Sequence, residues 1–146
     1  MLFMNPFELH PRLSADTFRL AESGTSVLLL MNNALLPWFI LVPKTDQCEL
    51  HRLDQDLRRR VRDETDRLAA FVEREFQPDK LNIATIGNLV EQLHIHVIAR
   101  YRTDHCWPAP VWGVPQRRDY AASEVERLRL RTLESLGEGF APRLGI

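Results

Sequence analysis

Residues 92 to 98 read Gln-Leu-His-Ile-His-Val-Ile and alternate between polar and apolar side chains over their first six positions. A period of two is typical of a β-strand with one buried face. Because side chains two residues apart point the same way from a strand, Gln92, His94 and His96 are expected on one face. The apolar residues between them then enter a core. The segment therefore predicts a sheet that presents two imidazoles and a carboxamide on a single surface.

Two imidazoles on a rigid element have a limited chemical repertoire. A neutral imidazole is a nucleophile, a general base or a metal ligand, and a protonated one stabilises an anion. The remaining three of the five histidines, His10, His51 and His105, lie elsewhere, so the pair does not reflect a histidine-rich composition. A His-x-His pair also occurs as an ordinary solvated strand face. The pair alone leaves a catalytic and a structural interpretation open.

The same segment resembles the signature of the histidine triad family of nucleotide hydrolases and transferases, which is His-φ-His-φ-His-φ-φ with φ apolar. In this chain Gln92 stands at the first histidine position, and His94 and His96 stand at the second and third. The segments 26–33 and 37–44 are similar to the family's pair of adjacent strands, the second of which ends in Pro43-Lys44. The resemblance covers about residues 25 to 100.

Periodicity along the chain predicts an α+β fold in which strands, a helix, strands and a helix follow one another. The predicted elements are a short edge strand with turns in 9–22, strands at 26–31 and 38–42, a long amphipathic helix at 53–76, strands at 81–86 and 91–100, and a helix at 123–136. Pro78 ends the long helix, Ser123 is the predicted N-cap of the last helix and Gly137 closes it. The resemblance implies a histidine-triad-like antiparallel sheet of about five strands. We expect a single domain over 1–146, with a core at about 5–113 and a C-terminal helical extension at about 114–146.

Charge and hydropathy exclude several other classes of protein. The 146 residues carry 19 basic and 20 acidic side chains, a net charge of -1, which gives no global positive field for nucleic acid. The basic run 58–60 is surrounded by acidic residues and is expected on a solvated, ion-paired helix face together with Glu64. The sequence has no membrane-length apolar run and no signal-peptide pattern, so a cytoplasmic location is expected. Cys48 and Cys106 are expected as reduced thiols.

The resemblance implies a mechanism residue by residue. His94 matches the histidine that attacks the α-phosphorus of a nucleotide and forms a nucleotidyl-imidazole intermediate. Its other nitrogen then needs a fixed acceptor, commonly a backbone carbonyl, to set the tautomer. His96 matches the last histidine and is expected to donate to the phosphoryl oxygens. Gln92 can orient a neighbour through its amide but cannot relay a proton.

Further side chains are candidates for substrate contact, each with an ordinary structural alternative. The resemblance places Asn32 or Asn33 near the ribose hydroxyls, although adjacent asparagines also make turns. Asn88 lies where members hold the phosphates, or it is a loop amide. Arg100 or Arg102 is a candidate for a polyphosphate, with an exposed arginine as the alternative for both. Trp112, like Trp107, stacks on a base or partner subunit, or it anchors a Pro-rich loop.

Three functions remain open from the sequence. The first is a nucleotide hydrolase or nucleotidyltransferase acting on a nucleoside phosphoramidate or dinucleoside polyphosphate through His94. It requires no cofactor, although Mg²⁺ can accompany a polyphosphate. The second is a catalytically weak nucleotide-binding or regulatory module. The third, a zinc site, ranks last because its ligands have no familiar spacing, and they would be His94, His96, His105 and Cys106. The resemblance also implies a homodimer, joined through an apolar sheet edge or the Trp-rich segment.

Overall fold

The structure, a computed structural model, describes residues 6–137 and 139–142. Its elements are α1 (Pro11–Asp16), β1 (Thr17–Glu22), β2 (Ser26–Met31), β3 (Trp38–Pro43), a 3-10 turn (Leu50–Arg52), α2 (Gln55–Phe76), β4 (Lys80–Ala84), β5 (Ile95–Arg100) and α3 (Ala122–Leu136). The strands form one antiparallel sheet in the order β1-β2-β3-β5-β4. The predicted α+β class, the five strands and both main helices are therefore confirmed.

The sheet has two covered faces with separate apolar clusters. On one face, α2 and α3 pack on alternate strand residues such as Phe39 and Val97, through helix residues such as Phe71. On the other face, Ile40 and Ile98 belong to a second cluster that includes Leu13 of α1. Side chains directly opposite in neighbouring strands share a face. His96 pairs with Ile40 of β3, so its imidazole lies on the face away from α2.

The long helix α2 ends at the predicted residue and begins at Gln55, two residues after its predicted start. The Asp54 carboxylate accepts the Leu57 N–H at 2.9 Å, which caps the first turn. Gln77 adopts the left-handed conformation directly before Pro78, and its N–H donates to the Glu73 carbonyl. The helix carries the connection from β3 across the sheet to β4.

The assignment of Glu64 to a solvated helix face is wrong. Glu64 is 6% exposed, and its carboxylate accepts hydrogen bonds from the hydroxyls of Ser23, Thr25 and Ser26 in the β1–β2 turn. Three hydroxyl donors replace the water that a carboxylate loses on burial. This acid therefore pins the turn to α2, an interaction that charge patterning does not reveal.

Two helix starts differ from their predictions. The predicted edge strand within 9–22 is present as β1, but residues 11–16 before it form α1 instead of turns, because Pro11 occupies the first turn and the His10 Nδ1 accepts the Arg12 N–H at 3.1 Å. In α3 the N-cap is Ala121, not Ser123, and the Glu124 carboxylate accepts the Ala121 N–H at 3.2 Å. Gly137 ends α3 as predicted.

The strand that carries the histidines is shorter than predicted. Its ladder begins at Ile95, opposite Leu41 of β3, and His96 faces Ala84, the last residue of β4. Neither neighbouring strand has a residue paired with Gln92 or His94. The two residues therefore lie on the segment that leads into β5, and the predicted start of this strand at residue 91 is wrong.

Candidate active site

His94 is held by the backbone immediately before it. Its ring is 7% exposed, and its Nδ1 lies 2.7 Å from the Gln92 carbonyl oxygen. A carbonyl oxygen can only accept a hydrogen bond, so Nδ1 carries the proton. The lone pair of the neutral ring is then on Nε2. This is the tautomer that a nucleophilic imidazole requires.

His96 has the complementary arrangement. The indole Nε1 of Trp38 lies 2.9 Å from His96 Nδ1, and an indole N–H can only donate. His96 Nδ1 must therefore be the acceptor, which places the proton of the neutral ring on Nε2. Burial, together with the nearby His94, lowers the pKa of His96 to about 3. His96 is thus a neutral hydrogen-bond donor at physiological pH.

The two rings form one chemical unit. Their centroids are 4.9 Å apart and their planes are inclined by 67°. Within the described part of the chain, neither Nε2 atom forms a hydrogen bond. One ring offers an electron pair and the other an N–H, which suits an electrophilic centre that carries an anionic oxygen. Phosphorus in a phosphate ester or anhydride meets both requirements.

Trp112 packs against this unit from the segment after β5. Its ring centroid is 5.2 Å from that of His96 and 6.1 Å from that of Trp38, with near-perpendicular contacts in both cases. Its indole Nε1 is buried and has no hydrogen-bond partner among the described residues. The structure thus brings Trp112, a predicted substrate contact, to the histidines, where it also packs as an anchor.

The Gln92 side chain turns to the N-terminal segment. Its Oε1 accepts the His10 N–H at 2.8 Å and its Nε2 donates to the Glu8 carbonyl at 2.9 Å. The main-chain carbonyl of Gln92 supports His94, as described above. The backbone carbonyl of Gln92 thus contacts His94, while its amide contacts the N-terminal segment.

The two candidate ribose residues hold other parts of the fold. Asn32 Oδ1 accepts the Tyr120 N–H at 3.0 Å, and Asn32 Nδ2 donates to Asp119 at 3.3 Å. Asn33 Oδ1 accepts the Leu35 N–H at 3.2 Å, which forms the turn between β2 and β3. Both amides tie this turn to the segment before α3. Asn88 is exposed in the loop between β4 and the histidines.

Both predictions for Arg100, a contact with a polyphosphate and an exposed arginine, are wrong. It is 1% exposed, and its guanidinium donates to Asp104, Asn82 and the Ala109 carbonyl. Burial alone would raise the pKa of Asp104, but hydrogen bonds from Arg100 and from backbone N–H groups outweigh it and hold that pKa below its ordinary value. With its donors directed into the fold, Arg100 supports the segment after β5.

A cavity of about 340 Å³ opens beside His94. Its walls include Arg52 from the 3-10 turn and Gly87 from the loop after β4, and Gly87 adopts a φ of 71° that glycine tolerates best. Two residues near the histidines were not predicted from the sequence, Arg52 and Trp38. No sequence pattern indicates Arg52. The alternation of Trp38 with Ile40 would indicate Trp38, but only once the pairing of β3 with β5 is known.

The structure does not assemble the four zinc ligands considered from the sequence. Among the described residues, the one group of ligand atoms close enough for a metal is Asp104, His105 and Cys106, within 4.8 Å of one another. Asp104 is already bound to Arg100.

Both cysteines are free. No described helix has the length and apolar character to span a membrane.

Comparisons with known proteins agree with this geometry. The HIT domain family model matches residues 12–103. A histidine triad protein from Bradyrhizobium japonicum is 37% identical, with a TM-score of 0.85, over 89% of this chain and 98% of that one. A histidine triad protein from Marinobacter aquaeolei VT8 is 37% identical, with a TM-score of 0.86, over 91% and 98%.

A more distant structure shares only the fold. It is described as a hypothetical histidine triad nucleotide-binding protein from Sulfolobus tokodaii strain7, and it is 17% identical, with a TM-score of 0.62, over 82% of this chain and 83% of that one. None of the curated proteins matches the chain.

Proposed function

Because the chain belongs to the histidine triad (HIT) domain family, we propose that it is a nucleotide hydrolase or nucleotidyltransferase that cleaves at the α-phosphate through a covalent nucleotidyl-His94 intermediate. The observation that carries the proposal is the 2.7 Å contact between His94 Nδ1 and the Gln92 carbonyl. This contact leaves Nε2 as the basic nitrogen. The substrate class is a nucleoside phosphoramidate or a dinucleoside polyphosphate.

The proposed reaction has two displacement steps. In the first, the Nε2 lone pair of His94 forms a bond to the α-phosphorus, and the bond from phosphorus to the leaving nitrogen or oxygen breaks. The leaving group departs with that electron pair and takes a proton from solvent. In the second, water or another acceptor attacks phosphorus, loses a proton, and the P–N bond to His94 breaks. The imidazole returns to its starting tautomer.

His96 and the Gln92 carbonyl have distinct electrostatic roles in both steps. The Nε2–H of His96 donates to a non-bridging phosphoryl oxygen, where negative charge must be held. The Gln92 carbonyl accepts from His94 Nδ1–H, and this bond strengthens as the ring becomes positive on phosphorylation. Neither group has to gain or lose a proton. The chemistry is therefore compatible with a glutamine at the first signature position.

Other contacts of the substrate remain proposals. The cavity beside His94 has room for a phosphate-bearing leaving group, and its wall carries the Arg52 cation together with the carboxylates of Glu49 and Glu91. Asn88 is free to approach the phosphates from its exposed loop, and Trp112 lies beside His96 for contact with the nucleoside. Asn32 or Asn33 reaches a ribose only by exchanging a present partner. No cofactor is needed, and Mg²⁺ can accompany a polyphosphate.

We also propose that the protein is a homodimer in the cytoplasm. The edge strand β4 and the loop after it expose Ile83, Ile86 and Leu89, the last at 76%. A groove of about 970 Å³ runs between β4 and α2, with Arg58 and Asp66 in its lining. An apolar edge with charges of both signs suits a second copy of the same surface.

Turnover by the native protein and its His94→Asn variant tests the reaction. Both are incubated with adenosine phosphoramidate and diadenosine tetraphosphate, without and with Mg²⁺, and release of AMP and ATP is followed by chromatography. The amide of the variant keeps a donor for the Gln92 carbonyl but has no nucleophilic nitrogen, so we expect a loss on the order of 10⁴-fold. The exposed His105→Asn variant is the matched control and should retain activity.

Two further readouts separate the alternatives. Rapid acid-free quenching and mass spectrometry should detect a nucleotidyl adduct on the native chain and not on the His94→Asn chain. Nucleotide binding without turnover in the native protein would overturn the enzymatic proposal and favour a binding or regulatory module. Equal loss in both histidine variants, restored by zinc, would instead favour the metal site.

A further inference from the structure

The amide of Gln92 connects the N-terminal segment to the strand entry that carries His94. Its two hydrogen bonds, 2.8 Å to the His10 N–H and 2.9 Å to the Glu8 carbonyl, join residues more than 80 positions apart. Both partners are main-chain groups two residues apart. The side chain thus closes on the N-terminal backbone much as a neighbouring strand would.

Glutamine is well matched to this pair of partners. The site needs one donor and one acceptor at equal distance from the backbone of residue 92, and the Oε1 and Nε2 of an amide share one carbon. An imidazole also has a donor and an acceptor, but its Nδ1 lies nearer the backbone than its Nε2. A carboxylate has no donor when ionised. The amide of Gln92 therefore fits the N-terminal backbone better than an imidazole or an ionised carboxylate would.

The N-terminal segment is itself fixed. Leu13 of α1 is buried in the second apolar cluster, and Phe7 and Leu9 pack against that cluster. The His10 ring caps α1 at Arg12 N–H. A segment held at several points can position the residue that binds it, whereas a free tail cannot.

We propose that Gln92 is a positioning residue that couples the Glu8–His10 backbone to the tautomer and orientation of His94. The coupling runs through one residue, because the amide of Gln92 binds the segment while its carbonyl, 2.7 Å from Nδ1, accepts from His94. Its kinetic consequence rests on the function proposed above. The N-terminal segment then acts on His94 through Gln92.

A pair of substitutions at His10 isolates the backbone hydrogen bond. His10 has φ -52° and ψ 135°, values that proline adopts without strain. His10→Pro and His10→Ala both remove the ring that caps α1, but only His10→Pro removes the N–H that donates to Gln92. We expect kcat of His10→Pro to fall about tenfold below that of His10→Ala, with KM nearly equal.

Substitutions at Gln92 test the other end of the same link. Gln92→Met keeps the length of the side chain and removes both hydrogen bonds, so it should lower kcat about as much as His10→Pro does. The double variant should be no slower than either single one, because both remove one connection. Additive losses would overturn the coupling.

Gln92→His separates positioning from a lost proton relay. The substitution restores the family signature, so a relay defect would be repaired and kcat would rise. Under the proposed coupling the ring does not hold both backbone partners, and kcat should fall as it does for Gln92→Met. A rise in kcat would overturn the proposal.

Two measurements test the coupling even if no turnover is found. Exchange of the His10 amide hydrogen should be slow in the native protein and faster in Gln92→Met. The ¹⁵N shifts of the imidazoles should report a single Nδ1–H tautomer for His94 in the native protein and a mixture in Gln92→Met. Native-like exchange and a single tautomer in the variant would refute the coupling, whereas the expected changes without turnover would refute only the proposed reaction.

Discussion

Strand β5 carries a buried polar cluster at each end, and the two clusters differ in how their polar atoms are used. At its start, His94 and His96 are 7% and 5% exposed, and each has one ring nitrogen bound within the protein. At its end, Arg100 is 1% exposed and donates to three oxygen-bearing partners. The first cluster retains a basic nitrogen and an N–H; the second has its charge paired with Asp104.

Saturation of hydrogen bonds thus separates the polar groups that support the fold from those with an atom left available to a substrate. A buried polar atom without a partner costs about 1–3 kcal/mol, so polar groups that support a fold are usually paired within it, whereas an unpaired atom that solvent can reach carries little cost. Glu64, with three hydroxyl donors, belongs with Arg100 on the structural side. In His94 and in His96, one ring nitrogen is hydrogen-bonded within the protein. That hydrogen bond determines whether the other ring nitrogen carries a proton or a lone pair.

The largest effect is expected at the saturated end. Arg100→Met leaves Asp104 buried without its cation, which should reduce the free energy of unfolding by about 3–5 kcal/mol, measured by urea unfolding at pH 7. Because the pKa of folded Asp104 is held below its ordinary value, the pair's contribution is present above about pH 4 and lost as pH falls further. The acid side of the stability profile should therefore flatten in the variant.

Two further variants serve as controls for this test. Arg102→Met, at an exposed neighbour, should leave stability within about 0.5 kcal/mol of the native value. If Arg100→Met fails to fold, Arg100→Lys should fold and be destabilised to a smaller degree. A folded Arg100→Met variant with full stability but no turnover would contradict this distinction, since it would show that Arg100 acts in the reaction and not in stabilising the fold.

The next effect concerns the pH dependence at the histidine end. Folded His96 has a pKa of about 3, whereas the unfolded side chain titrates near 6.5. Between these values the unfolded chain binds a proton that the folded chain does not, so stability should fall as pH falls below about 6.5. The slope from this group is at most about 1.4 kcal/mol per pH unit. Urea unfolding of His96→Gln from pH 7 to pH 4 should show a shallower slope, whereas His105→Asn should retain the native one.

A smaller effect is expected when the hydrogen bond to His96 Nδ1 is removed. Trp38→Phe preserves an aromatic ring but removes the donor to Nδ1, so His96 populates both neutral tautomers. We expect about a tenfold lower kcat at pH 7, which corresponds to one hydrogen bond. Imidazole ¹⁵N shifts should change from a single Nε2–H tautomer to a mixture. An unchanged tautomer with reduced kcat would show that the indole acts by packing alone.

The smallest effect is expected at the neighbouring indole. Trp112→Phe is the matched substitution on the other side of His96, and it removes a buried N–H that has no partner among the described residues. Loss of an unsatisfied donor compensates for lost contact area, so the free energy of unfolding, measured by thermal unfolding, should change by no more than about 1 kcal/mol. The His96 tautomer should stay unchanged. A tautomer change here as large as that of Trp38→Phe would remove the distinction between the two indoles.

Local sequence predicted the elements whose signals are local. The apolar runs of β2 and β3, the stripe of α2 and the stop at Pro78 all depend on neighbouring residues, and the structure has these elements within a few positions of their predicted bounds. His94 and His96 were also found from spacing and resemblance, and the carbonyl expected beside His94 is present.

What the sequence did not reveal depends on partners distant along the chain. The strand β4 ends at Ala84, opposite His96, and the ladder between β3 and β5 ends at the pair Leu41–Ile95 although β3 continues to Pro43, so His94 lies outside the strand. The Trp38 contact requires the register of two strands 58 residues apart. The burial of Arg100 requires the chain after β5 to fold back over it. Such contacts have no periodic signature.

The two outer strands of the sheet differ in whether another part of the described chain pairs with them. The edge of β1 is occupied at Glu22 by Ala141, through a pair of backbone hydrogen bonds of 2.9 Å in each direction, whereas β4 has no such cover in the described residues. Two copies joined through β4 would present a β1 strand at both ends of the combined sheet. Addition would stop at two, so this arrangement favours a closed pair over an open filament.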